Sequence, residues 1–219
     1  MIPEKFKYEP LVPISELIVH INMITLTETE GRVLLKLFKD FSQAYNSNSL
    51  SKEIGITPRG TLKILKKLKS NQMLKSKQLG KATFYKPNLD DEYVSKIIEI
   101  LLIAEARDKA ERWIEEFKEI YNSSEIVLLF GSITKNPKEA SDIDVIFVFK
   151  KRNYKNIADF VEKKNKILFR KIHEIPQTIT DLKENLRNGN KAMIDAIKTG
   201  YVLHGSEKVV EVMRDVTGF

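Results

Sequence analysis

The chemistry-bearing residues of this chain cluster between Leu128 and Lys150, in LLFGSITKNPKEASDIDVIFVFK. Asp142 and Asp144 stand at the head of a run, Val145 to Phe149, that is otherwise wholly apolar. A strand covered on both faces is ordinarily a near-continuous apolar run, so carboxylates at its mouth need a reason. Side chains alternate along a strand, which puts Asp142 and Asp144 on one face while Ile143 and Val145 point into the core. Paired carboxylates repel each other unless one takes up a proton or a cation sits between them. Magnesium suits such a pair, because it prefers oxygen ligands and commonly combines one or two carboxylates with substrate phosphates. Just upstream, Gly131 and Ser132 close a short apolar strand, Glu125 to Phe130. A glycine there lets a ligand approach the backbone, and a helical turn after it would aim N–H groups at an anion.

Composition narrows the chemistry further. The chain has no cysteine, which excludes disulfides and thiolate metal sites, and only His20, His173 and His204 as imidazoles. Any metal is therefore expected on oxygen ligands. With 219 residues and 42% hydrophobic content there is material for one large domain or two small ones. The most apolar helical run, Ile97 to Ala106, is interrupted by Glu99 and Glu105 and is too short to cross a bilayer. Pro3, Pro10 and Pro13 break up the beginning, so no secretory leader is expected and the protein is placed in the cytoplasm, without a membrane partner. The net charge of +7 is clustered: Arg59 to Lys86 carries nine cations and no Asp or Glu. Such clustering points to an acidic partner such as nucleic acid.

The elements that position these residues follow from spacing. Residues 1–25 are read as an N-terminal extension, in which the prolines suggest an extended lead-in and Ile14 to Ile24 could be a strand or a short helix. Thr27 or Thr29 caps a helix with Val33, Leu34, Leu37 and Phe38 at helical spacing. Ser49 begins a short second helix that Gly55 ends. Thr57 caps a third with Pro58 at its first position, Leu62, Leu65 and Leu68 on its buried face and Lys63, Lys66, Lys67 and Lys69 on the other. MLKSKQLGKATFYKP then alternates about Gly80 as a hairpin would. This order resembles a winged helix-turn-helix, here over residues 26–89. The resemblance implies double-stranded DNA as partner, with Arg59 and Lys63 reaching base edges, Lys66 and Lys67 on the same basic face, and Lys77, Lys81 and Lys86 of the wing meeting phosphates. A lysine-rich helix that is only a solvated face, or a winged helix that binds protein, is the alternative. Residues 91–121 read as helix, broken near Arg107. Val94, Ile98, Leu101 and Leu102 form a stripe broad enough to pair with a second copy as a homodimer, and residues 90–106 are the connecting segment. Ala110, Ile114, Phe117, Tyr121 and Trp113 are expected to pack on the following sheet.

FGS, nine intervening residues and then DID resembles the signature of the DNA polymerase β-like nucleotidyltransferase superfamily, most nearly its minimal members. The resemblance implies an α/β (α+β) fold with a small mixed sheet over residues 107–206, followed by a C-terminal helix or tail, 207–219. It implies a nucleoside triphosphate held by Gly131 and Ser132, a phosphate contact from Lys135, and two magnesium ions on Asp142 and Asp144. Members of that family usually add a third carboxylate from a neighbouring strand; in ILFRKIHEIPQTIT the only acid is Glu174, beside His173, the latter read as structural. Three functions stay open: transfer of a nucleoside monophosphate to a hydroxyl acceptor, a DNA-binding regulator that only senses nucleotide, and an antitoxin-type enzyme that modifies a partner protein.

Overall fold

The computed structural model describes residues 26–217, so the N-terminal extension 1–25 lies outside the described residues. Three helices come first: α1 (Glu28–Lys39), α2 (Ser47–Ile54) and α3 (Pro58–Ser70). Thr27 caps α1 in a capping box with Glu30, each satisfying a backbone N–H of the other. The second helix begins earlier than Ser49 because Asn46 takes the cap, accepting from the N–H groups of Asn48 and Ser49. Thr57 caps α3 with Pro58 in its first turn, and Leu65 and Leu68 are buried while Leu62 is half-buried. Strands β1 (Leu74–Leu79) and β2 (Ala82–Pro87) pair antiparallel around Gly80, and Tyr45 adds an isolated bridge to Tyr85.

Helix α4 (Glu92–Phe117) leaves helical geometry at Ala110, three residues later than the break expected near Arg107. The kink divides its duties. Before it, Val94, Ile98 and Leu102 lie in the same apolar core as α1 and the C-terminal helix. After it, Ala110 and Phe117 join a second core with Phe147 and Phe160, and Trp113, Ile114 and Tyr121 pack around it as expected. The first stripe is therefore not a surface for a second copy. Val94, Ile98 and Leu102 are each at most 1% exposed, covered by this chain's own helices, and the large apolar side chains that α4 exposes are Tyr93, Ile100 and Ile103.

After α4 a 3-10 turn (Lys118–Ser123) leads into β3 (Ile126–Phe130), α5 (Ser132–Lys135), β4 (Asp142–Val148), α6 (Tyr154–Ile167), β5 (Lys171–Gln177), α7 (Ile179–Arg187), α8 (Lys191–Thr199), β6 (Tyr201–His204) and α9 (Ser206–Val216). The four strands form one mixed sheet in the order β5-β4-β3-β6, with β4 and β5 parallel and the other pairs antiparallel. Both faces are covered, which is why β3 is apolar at every position. Ile126, Leu128, Ile146 and Val148 face α7, α8 and α9, whereas Val127, Leu129, Val145 and Phe147 face α6 and the end of α4. No helix among the described residues is long and apolar enough to cross a membrane.

Candidate active site

The end of the sheet where β3 stops and β4 starts gathers the residues with chemical potential. Asp144 pairs across the strands with Phe130, so its carboxylate lies beside the turn that follows β3. That turn is Gly131, at φ +81° and ψ −154°. A Cβ built on Gly131 would sit 2.0 Å from Asp144 Oδ2 and 2.9 Å from its Cγ. Both the backbone conformation and the contact demand glycine there. Ser132 opens α5 and is exposed, Ile133 anchors the turn at 3% exposure, and Thr134 Oγ1 donates to the Gly131 carbonyl at 2.9 Å.

Asp142 and Asp144 share the face of β4 occupied further along by Ile146 and Val148, and both are half-buried. Asp142 has no hydrogen-bond or ion-pair partner among the described residues. Asp144 has one: His173 Nδ1 lies 2.9 Å from its Oδ1. The hydrogen bond to Asp144 pushes the His173 imidazole above the ordinary histidine value, against a smaller opposing effect of burial. Strand register explains the contact, since β5 runs parallel to β4 with His173 opposite Asp144 and Lys171 opposite Asp142.

The same register separates Glu174 from the pair. It lies opposite Val145, and neighbouring residues of paired strands project to the same side, so Glu174 points to the other face of the sheet. The expectation that Glu174 supplies a third carboxylate is corrected on that ground. Its neighbour His173, read from sequence as structural, takes the position instead. The apolar residues of KIHEIPQ gave no parity to choose by, because Ile172 belongs to one core while Ile175 packs on the other. Among the described residues no group of three or more His, Asp or Glu side chains is placed to hold a metal. Lys135 is exposed next to the turn, but its Nζ lies 3.4 Å from Asp195 Oδ2 on α8, a partner that spacing did not reveal.

On α3 and the hairpin, Arg59, Lys63, Lys66, Lys77 and Lys81 are exposed and make no ion pair among the described residues. Lys67 differs: it reaches back 2.7 Å to the buried carboxylate of Glu30 on α1. Burial would raise the Glu30 carboxyl, but the hydrogen bonds from Lys67 and the Thr27 backbone hold it below the usual range. Lys67 is a structural tie, so the expected run of basic contacts on α3 is interrupted.

No curated protein matches the chain. Solved structures similar to it include ZitR of Lactococcus lactis, a zinc-responsive MarR family member, at 16% identity over 66% of this chain and 77% of that one, with a TM-score of 0.31. Another is the adhesin competence repressor AdcR of Streptococcus pyogenes, at 16% identity over 68% of this chain and 87% of that one, with a TM-score of 0.30. The part of the chain that carries Gly131, Asp142, Asp144 and His173 is similar to the nucleotidyltransferase domain, whose family model matches residues 110–204.

Proposed function

We propose that this chain transfers a nucleoside monophosphate from a nucleoside triphosphate to a hydroxyl acceptor, and that its first three helices and hairpin bind double-stranded DNA as a winged helix-turn-helix. The observation that supports the first part is the side-chain-free backbone of Gly131 set against the Asp144 carboxylate, where a Cβ would lie 2.0 Å from Oδ2. In the reaction the acceptor oxygen bonds to the α-phosphorus as the bond to the pyrophosphate oxygen breaks, and the hydroxyl proton passes to solvent water.

The donor set fits magnesium: Asp142 and Asp144 offer only carboxylate oxygens, and since no group of three ligands forms among the described residues, triphosphate oxygens and water would complete its shell. Two ions is the number the family resemblance implies. Magnesium held by Asp142 and Asp144 would supply a lowered pKa for the attacking hydroxyl and charge neutralisation on the departing pyrophosphate. The chain's own residues do the rest. His173 fixes the orientation of the Asp144 carboxylate through Oδ1, leaving Oδ2 toward Gly131. Ser132 and the open backbone of the turn receive the triphosphate. Lys135 can leave Asp195 for a phosphate at little cost, since an exposed pair contributes at most about 1 kcal/mol.

Incubation with α-labelled nucleoside triphosphates and magnesium tests this reading beside an Asp142→Asn/Asp144→Asn control. Label attached to an acceptor only by the intact chain supports it. A second reading, a regulator that senses nucleotide without turnover, is favoured by the direction of Glu174, and it predicts magnesium-dependent triphosphate binding with no label transferred. For DNA, Arg59→Ala/Lys63→Ala should abolish selective binding to a duplex that the intact chain selects. Lys67→Ala should weaken binding through lost stability alone, because Glu30 holds that side chain.

A further inference from the structure

The first half of α4 is apolar on two sides. Val94, Ile98 and Leu102 turn inward, while on the outer side Tyr93, Ile100 and Ile103 are 48%, 64% and 44% exposed, Ala104 is exposed and Ile97 is half-buried. A helix that is apolar all round is ordinarily covered all round. The spacing of the outer residues fits a second helix as the cover. Tyr93, Ile97, Ile100, Ala104 and Arg107 follow one another by four, three, four and three residues, the alternation that keeps one seam of a helix against a partner helix. The seam stops short of the break at Ala110, so it lies on one uninterrupted helical segment. At 1.5 Å per residue it is about 21 Å long.

Charge at the two ends of the seam selects the partner. Glu92 is exposed at its start, with no hydrogen bond or ion pair among the described residues and only a weak pull on Lys96. Arg107 is exposed at its end, with no partner among the described residues. The other charges beside the seam are already paired, Lys96 with Glu99 and Asp108 with Lys109. The seam is therefore acidic at one end and basic at the other, and it complements itself when a second α4 lies antiparallel across it. About a two-fold axis at Ile100, Tyr93 of one copy faces Arg107 of the other, so the ring and the Glu92 carboxylate both meet a guanidinium. A parallel pair would instead set Glu92 on Glu92 and Arg107 on Arg107, and such like-charge pairs are unfavourable.

We propose that the outer face of α4 binds a second copy of this chain: two α4 helices pair antiparallel through Tyr93, Ile97, Ile100 and Ala104, with Glu92 of each copy against Arg107 of the other. This face is opposite to the Val94, Ile98 and Leu102 stripe, which the chain covers itself. So short a seam makes a small interface, and small interfaces associate reversibly, here at roughly micromolar protein. The same two-fold relates the two α3 helices, so on the DNA-binding reading above the selected duplex is an inverted repeat.

Sedimentation of the full chain without DNA tests the surface independently of that reading. The sedimentation coefficient should rise with concentration from the monomer value to the dimer value. Ile100→Glu sets two carboxylates on the axis, and it should leave a monomer at every concentration with the urea midpoint of the intact chain, because the side chain is exposed. Glu92→Arg and Arg107→Glu should each weaken the dimer several-fold, and the two together should restore it. The chain has no cysteine, so single replacements report orientation. Under mild oxidation Ile100→Cys should cross-link to itself and Tyr93→Cys should not, whereas Tyr93→Cys mixed with Arg107→Cys should cross-link. The proposal is overturned by a chain that stays monomeric, whether another segment or another protein covers the seam, by a dimer that survives Ile100→Glu, or by Tyr93→Cys cross-linking to itself.

Discussion

Replacing Gly131 by alanine should disable the aspartate site through one atom. At φ +81° and ψ −154° the backbone occupies a region that is essentially reserved for glycine, and a side chain there costs about 1–3 kcal/mol. The new Cβ would also lie 2.0 Å from Asp144 Oδ2, and contacts under 3.0 Å do not persist, so the carboxylate must retreat by about 1 Å. A displacement of about 1 Å at reacting groups is enough to cost about a hundredfold in rate. Stability is read by urea unfolding, and function by magnesium-dependent triphosphate binding and label transfer. A double-mutant cycle with Asp144→Ala separates the two effects, because that change removes the clash and leaves the backbone strain. Gly131→Ala should then cost less stability in the Asp144→Ala background than in the intact chain, by the energy of the clash. Native stability and native magnesium-dependent binding in Gly131→Ala would refute the reasoning, and equal costs in both backgrounds would refute the clash.

Other outcomes follow from the same geometry. Glu174→Gln alters an exposed side chain on the far face of the sheet, so triphosphate affinity and transfer should stay within about 0.5 kcal/mol of the intact chain; a loss of a hundredfold would restore the glutamate as an active-site acid. Leu102→Ala removes a side chain that is 1% exposed between α1 and α9, which should cost about 2–5 kcal/mol in urea unfolding and leave the sedimentation coefficient of the folded chain unchanged. Burial would push the Asp40 carboxyl up, but the hydrogen bonds from Tyr45, Lys198 and Lys36 outweigh it and hold it below the ordinary value of 3.8. A depressed folded pKa contributes stability that is complete above the unfolded pKa and lost as pH falls through the folded one. Asp40→Asn should therefore lower the melting temperature at pH 7, and the gap should close only below about pH 3.9; a gap that is constant down to pH 2 would exclude the mechanism.

What the sequence made legible was local. Thr27, Thr57, Pro58, Gly55 and Gly80 mark helix caps and a turn by residue type, and each does that work in the structure. Asp142 and Asp144 declared themselves because an apolar strand has few reasons to begin with carboxylates. The failures involve pairings between distant segments. Lys67 looked like its neighbours on α3 until the fold set Glu30, 37 positions earlier, beside it. Val94, Ile98 and Leu102 form a stripe at helical spacing, and spacing cannot tell whether a second copy or α9 of the same chain will cover it. Glu174 and His173 are adjacent, and a single step of strand register decides which of them meets Asp144.

Helix α8 is where the two halves of the molecule meet through polar contacts. It packs on β3, the strand that delivers Gly131, and its end is pressed so close that a Cβ on Gly200 would lie 2.6 Å from the Leu129 carbonyl oxygen. From the other side, Lys39 at the end of α1 donates to the Gly200 carbonyl at 2.8 Å and pairs with Glu105 of α4, while Lys198 of α8 lies 3.0 Å from Asp40. Burial pulls the Lys39 ammonium below the usual lysine range despite Glu105, so this cation is held at a cost. Asp40 is fully buried, and its Oδ1 is already without a partner. Such contacts gain little over apolar packing when complete, but a half-made set leaves an uncompensated charge in the interior and costs several kcal/mol. Sliding α1 along α8 by one turn would break the Lys39 and Lys198 contacts together. The seat of α1 against the helix that backs the glycine turn is therefore fixed in part by charges, because a one-turn slip would leave the buried Asp40 and Lys39 without these partners.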